Sequence, residues 1–106
     1  MPIALFRVDD RLVHGQVMIG WGRPLGADFV VVVDDALAAS AWEQDLYRMG
    51  VPSGIELAFS TVSDAVRRAP EWAARPGAGI LWTGSVAAMR ALGDAGFSIP
   101  RVNLGG

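Results

Sequence analysis

Short apolar runs alternate along this chain with segments whose apolar residues recur at helical spacing, and that alternation predicts its elements. Residues 2–8 read as a first strand, apolar enough to be buried on both faces, and residues 15–22 as a helix that Gly22, Pro24 and Gly26 break. Asp28-Phe29-Val30-Val31-Val32-Val33 is the strongest strand signal, an unbroken apolar run suited to an inner strand of a parallel sheet. Asp34 and Asp35 close it and can cap a helix from Ala36 to about Met49, ended by Gly50, Pro52, Ser53 and Gly54. Residues 55–59 alternate as an edge strand would. Ser60, Thr61 and Ser63 offer caps for a helix bearing Val62, Ala65, Val66 and Ala69, which Pro70 either stops or carries into another turn, with Trp72 packing on its flank. Residues 78–82 form a fourth strand, and Thr83, Gly84 and Ser85 turn into a helix with Val86, Met89, Ala91 and Leu92 on one side. Gly93 to Gly96 end that helix, and residues 99–104 give a fifth short strand.

Strand and helix alternate without repeat or linker, which predicts βαβ units with right-handed crossovers. The fold class is therefore α/β: three layers, a mainly parallel sheet with helices on both faces. The first strand is expected centrally, and the loop after it at a topological switch point, where open α/β sheets bind ligands.

Composition narrows the chemistry. The chain has 106 residues, enough for one domain with a real core, and 52% of them are hydrophobic, so disorder is not expected. A net charge of −2 gives no reason to expect nucleic acid or an anionic membrane as partner. Without cysteine there is no disulfide or thiolate chemistry, and a single histidine leaves no histidine-rich metal centre, so neither metal nor cofactor is expected. No apolar run reaches the length of a membrane span and no signal pattern opens the chain, so the cytoplasm is the default location.

That single histidine, His14, follows the first strand in Phe6-Arg7-Val8-Asp9-Asp10-Arg11-Leu12-Val13-His14-Gly15-Gln16-Val17. Its imidazole is nucleophilic near neutral pH, and a phosphoryl group on it could be held by first-turn amides and the Arg11 guanidinium. The plainer alternative is a surface histidine hydrogen-bonded to an aspartate.

The segment Arg7 to Val17 resembles the phosphorylation-site signature of the IIB component of the mannose/fructose/sorbose class of bacterial sugar phosphotransferase systems. Trp21, Val31-Val32-Val33-Asp34-Asp35 and Val102-Asn103-Leu104-Gly105-Gly106 continue the resemblance in order over nearly the whole chain. It implies that His14 accepts a phosphoryl group on Nδ1 from a cognate IIA protein and passes it to a hexose carried by membrane-embedded IIC and IID components, with peripheral attachment to the membrane through them. Arg11 would neutralise the transferring group, its structural alternative being a salt bridge to Asp9 or Asp10. Asp10 would orient the imidazole or Arg11, or cap a helix; Gly15 and Gln16 would supply backbone amides. Thr83 and Ser85, after the strand expected beside the first, would touch the phosphate or simply cap the next helix, and Asn103 and Gly105 could rim the pocket. The four tryptophans, Trp21, Trp42, Trp72 and Trp82, read as core or interface. Family members continue past this point, so residues 1–106 are expected to form a single domain lacking its C-terminal strands and helix, and family members often pair, which allows a homodimer.

Two rival classes fail on residues. A response-regulator receiver needs an acceptor aspartate after the third strand and a lysine after the fifth, whereas Ser60-Thr61 follows Phe59 and all nine basic residues are arginine. No glycine-rich dinucleotide or triphosphate loop follows a strand. A regulatory phosphoacceptor of the same fold, without a transport role, remains as the alternative.

Overall fold

Why these segments stack as they do is visible in the sheet of the computed structural model, which describes residues 3–8, 28–49, 54–97, 99 and 103–104. Strands β1 (Ile3–Val8), β2 (Phe29–Val33), β3 (Glu56–Ser60), β4 (Gly79–Thr83) and β5 (Asn103–Leu104) form one sheet in the order β3-β2-β4-β1-β5, with every described pairing parallel. The valine run earns its place: all five residues of β2 are buried, as are all five of β4 beside it. Alternate residues point to opposite faces, so each strand feeds two cores.

One core joins Phe29, Val31, Val33 and Leu81 to Phe6 and Val8 under helices α3 (Val62–Ala73) and α4 (Val86–Asp94), through Ala65, Trp72, Met89 and Leu92. The other joins Val30, Val32, Ile80 and Trp82 to Leu37 and Tyr47 of helices α1 (Asp35–Ala38) and α2 (Ala41–Met49). From β2 to β3 the chain steps one way along the sheet, and from β3 to β4 it steps back. Right-handed crossovers then put the intervening helices on opposite faces, as observed. The three-layer α/β architecture is the one expected.

Three details depart from the expectation, and a fourth decides between the two readings of Pro70. The middle strand is β4, and β1 lies inside the sheet between β4 and β5. Thr83 belongs to β4, so the turn that follows begins at Gly84. The helix expected over 36–49 is two helices, because Gln44 turns its Nε2 back onto the carbonyls of Leu37 (3.0 Å) and Ala38 (3.1 Å) and ends α1 there. Finally, α3 runs straight through Pro70: buried Trp72 anchors the last turn in the core, and the Ala74 amide donates to the Pro70 carbonyl at 3.1 Å.

The amino edge of the sheet is tied shut. Asp28 donates from its amide to the Ala78 carbonyl (2.7 Å) and accepts from the Ala78 amide on Oδ2 (3.0 Å), while its own carbonyl accepts from the Glu56 amide (3.0 Å). Arg75 lies over the Phe29 ring, 4.4 Å from its centroid, and its hydrogen bond to Glu56 holds that carboxyl below the ordinary carboxylate range. Gly77 makes the turn at φ +88°, a conformation only glycine adopts without strain.

Candidate functional site

The opposite, carboxyl edge is where a site can form. Register aligns the strand ends in a row, Ser60, Val33, Thr83, Val8 and Leu104. Each described turn into a helix starts with a short polar side chain that accepts from the helix's first turn. Asp34 Oδ1 accepts from the Leu37 amide (2.8 Å), Thr61 Oγ1 from the Asp64 amide (3.0 Å) and Ser85 Oγ from the Ala88 amide (3.1 Å).

On the β2–β3 side these turns are braced against each other. The Asp34 amide donates to the Ser60 carbonyl (3.0 Å), and Asp35 Oδ1 accepts from the Val62 amide at the start of α3 (2.9 Å). The sequence assigns Asp34 and Asp35 to their own helix, which misses this second role of Asp35. Its only signal is that two polar strand exits, Asp34-Asp35 and Ser60-Thr61, fall side by side once β2 pairs with β3.

The β1–β4 side is the one whose strand β1 is followed in sequence by Asp9 to His14. From β1 the chain passes β4 to reach β2, and from β4 it passes β1 to reach β5, so two neighbouring strands send their continuations in opposite directions. That is a topological switch point, and open α/β sheets bind ligands in a crevice at the carboxyl ends of such strands. The residues beside it in the described structure are Val8, buried, and Thr83, directly opposite it in register.

Thr83 and Ser85 are thus brought to this crevice, but their hydroxyls are not equivalent. Thr83 is fully buried, and its single hydroxyl proton is donated to the Ser85 carbonyl at 3.0 Å. In this structure that hydroxyl therefore ties the end of β4 to the turn that follows it. Ser85 is exposed, and its Oγ accepts from Ala88, leaving its proton free to be donated outward. On the other face of the sheet, in the core beneath α1 and α2, Tyr47 is buried. Burial first, then the carboxylates of Glu43 and Asp34, push its phenol up from 10.0 to about 12.

His14, Arg11, Asp9, Asp10, Gly15, Gln16, Trp21 and Gly105 lie outside the described residues, as does the helix expected over 15–22; Arg7 and Asn103 are placed as strand residues of β1 and β5. Of the remaining tryptophans, Trp72 and Trp82 are core residues and Trp42 is exposed. Among the described residues no group of three or more His, Asp or Glu side chains could hold a metal, and no helix is long and apolar enough to cross a membrane.

Fold and edge together define a class: an open parallel α/β domain with helices on both faces of its sheet and a topological switch point between β1 and β4. Within that class the chain belongs to the PTS system sorbose subfamily IIB component family, whose sequence profile matches residues 3–106. It is similar to a probable phosphotransferase enzyme IIB component of Streptococcus pyogenes, 42% identical over 65 residues, covering 61% of this chain and 40% of that protein. It is also similar to the PTS system mannose-specific EIIAB component of Escherichia coli, 32% identical over 108 residues, covering 100% of this chain and 33% of that protein. The crystal structure of a PTS-dependent N-acetyl-galactosamine IIB component from Streptococcus pyogenes superposes with a TM-score of 0.88 at 26% identity, over 99% of this chain and 64% of that one. The chain thus spans less than half the length of these two curated relatives.

Proposed function

We propose that this chain is a phosphocarrier of a sugar phosphotransferase system, taking a phosphoryl group from phospho-IIA onto His14 and giving it to a sugar translocated by membrane IIC and IID components. The observation that supports the reading is that Val8, the end of β1, stands beside Thr83, the end of β4, at the switch point on the carboxyl edge of the sheet. Val8 runs directly into the Asp9-to-His14 segment, in a chain of this family. The relative whose name joins A and B in one component, the mannose-specific EIIAB of Escherichia coli, supports a IIA partner.

In this reading the imidazole Nδ1 attacks phosphorus as the donor's own N–P bond breaks, and in the second transfer the Nδ1–P bond breaks as a sugar hydroxyl oxygen attacks and releases its proton. Such a transfer asks the protein for alignment and for charge opposite the equatorial oxygens. Arg11 supplies the charge, the amides of Gly15 and Gln16 supply donors, and Asp10 orients Arg11 or the ring. Ser85 supplies the hydroxyl donor from the far wall of the crevice, across from the end of β1.

Incubation with phosphoenolpyruvate, the general phosphotransferase proteins and a cognate IIA is expected to label the chain with an acid-labile, base-stable phosphate, and His14→Ala to abolish the label. A label that survives in that variant refutes the assignment. Arg11→Ala is expected to slow labelling by about tenfold to a hundredfold, the effect of losing a charge clamp worth a few kcal/mol, with the circular dichroism spectrum unchanged.

A further inference from the structure

The outer face of α2 carries an apolar seam that takes no part in either core among the described residues. Trp42, Leu46 and Met49 are 68%, 56% and 81% exposed, while Tyr47 faces the core. Their spacing of four and then three residues is that of the d, a and d places of a heptad, the pattern by which one helix packs on another. Tryptophan and methionine are residues that interfaces concentrate. A patch of about 300–600 Å² is the range in which the largest apolar patch of a monomer is often functional, and it is smaller than the ~800 Å² per partner of a standard stable interface. A seam of three residues on a nine-residue helix therefore suits a partner that binds and leaves.

Charge decides which partner. Glu43 and Asp45 fall at the e and g places on either side of the seam, so both flanks are acidic. Glu43 has no ion-pair partner among the described residues. Asp45 shares Arg48 at 3.6 Å in an exposed pair of the kind worth little, and the Arg48 guanidinium also lies over the Phe59 ring, 5.1 Å from its centroid. A second copy would set acid against acid whether antiparallel, e on e and g on g, or parallel, g on e. An anionic membrane would be repelled for the same reason.

We propose that this face of α2 docks an amphipathic helix of a protein partner, one with apolar residues along its seam and Lys or Arg at the flanking places. The proposal is independent of the role of His14.

The test uses the full chain, labelled with ¹⁵N, and two synthetic helical peptides about three heptads long, with Leu at a and d and either Lys or Glu throughout e and g. The Lys peptide is expected to shift the amide signals of α2, and the Glu peptide to leave them in place. Glu43→Gln with Asp45→Asn, or salt raised to ~0.5 M, should weaken the Lys peptide by at least about threefold, since exposed charges are screened at that ionic strength. Leu46→Asp should abolish binding with the rest of the spectrum unchanged. Equal binding of both peptides, binding of neither, or shifts centred away from α2 would overturn the proposal. So would a dimer in sedimentation that Leu46→Asp dissociates, or a Trp42 fluorescence shift with phosphatidylserine vesicles that the Lys peptide does not match.

Discussion

Thr83 has one hydroxyl proton, the Ser85 carbonyl holds it, and this makes two neighbouring residues separable by experiment. Thr83→Val keeps the shape and removes one of two donors to the Ser85 carbonyl, which still accepts from the Met89 amide at 3.3 Å, and is expected to cost about 1 kcal/mol in denaturant unfolding. Ser85→Ala removes the α4 cap and should cost about 1 kcal/mol, and under the proposed function it also slows labelling of His14. A thermal match between the two variants with a rate defect only in Ser85→Ala is the expected pattern. Tyr47 gives a pH signature. Its phenol is neutral in both states below pH 10, and above that the unfolded chain ionises first, because the folded value is about 12. Stability is therefore expected to be intact below about pH 10 and to fall between pH 10 and 12, and Tyr47→Phe should flatten that fall in alkaline unfolding measurements.

Among the elements, α3 tells most about what a sequence conveys. Pro70 lacks an amide to offer one turn back, and proline in a helix interior is about 3 kcal/mol worse than alanine, yet the helix persists because Trp72 is locked in the core two residues later. Since Pro70 is exposed, Pro70→Ala is expected to stabilise the protein by about 1–3 kcal/mol, raising its melting temperature. Strands were legible wherever burial dictates composition: β2 and β4 are apolar because both faces are covered, and β3 alternates because it is an edge. The break between α1 and α2 was legible too, in Ser40-Ala41-Trp42-Glu43, which has capping-box spacing. That mark competes with the apolar residues on either side, which still fit one helical period. What one sequence does not convey is the order of strands, since β4 in the middle depends on crossovers that leave no local mark. The division of labour between Thr83 and Ser85 is equally silent, because both residues are ordinary caps by composition and only the burial of one distinguishes them.

Taken whole, the molecule is polarised. The amino edge is closed by Asp28, Arg75 and Glu56, and the carboxyl edge is braced between β2 and β3. Hydrogen exchange is expected to be slowest at the amides of β2 and β4, each flanked by two strands and buried on both faces, and faster in β3 at the edge. The strand order also sets a timetable for synthesis on the ribosome. Because β1 pairs only with β4 and β5, the amino-terminal strand emerges first and then waits, without a neighbour, until residues 79–83 have been translated. The segment proposed to carry phosphate is thus anchored only after β4 has been made, and a nascent chain stopped before Gly79 has its leading strand but nowhere to dock it.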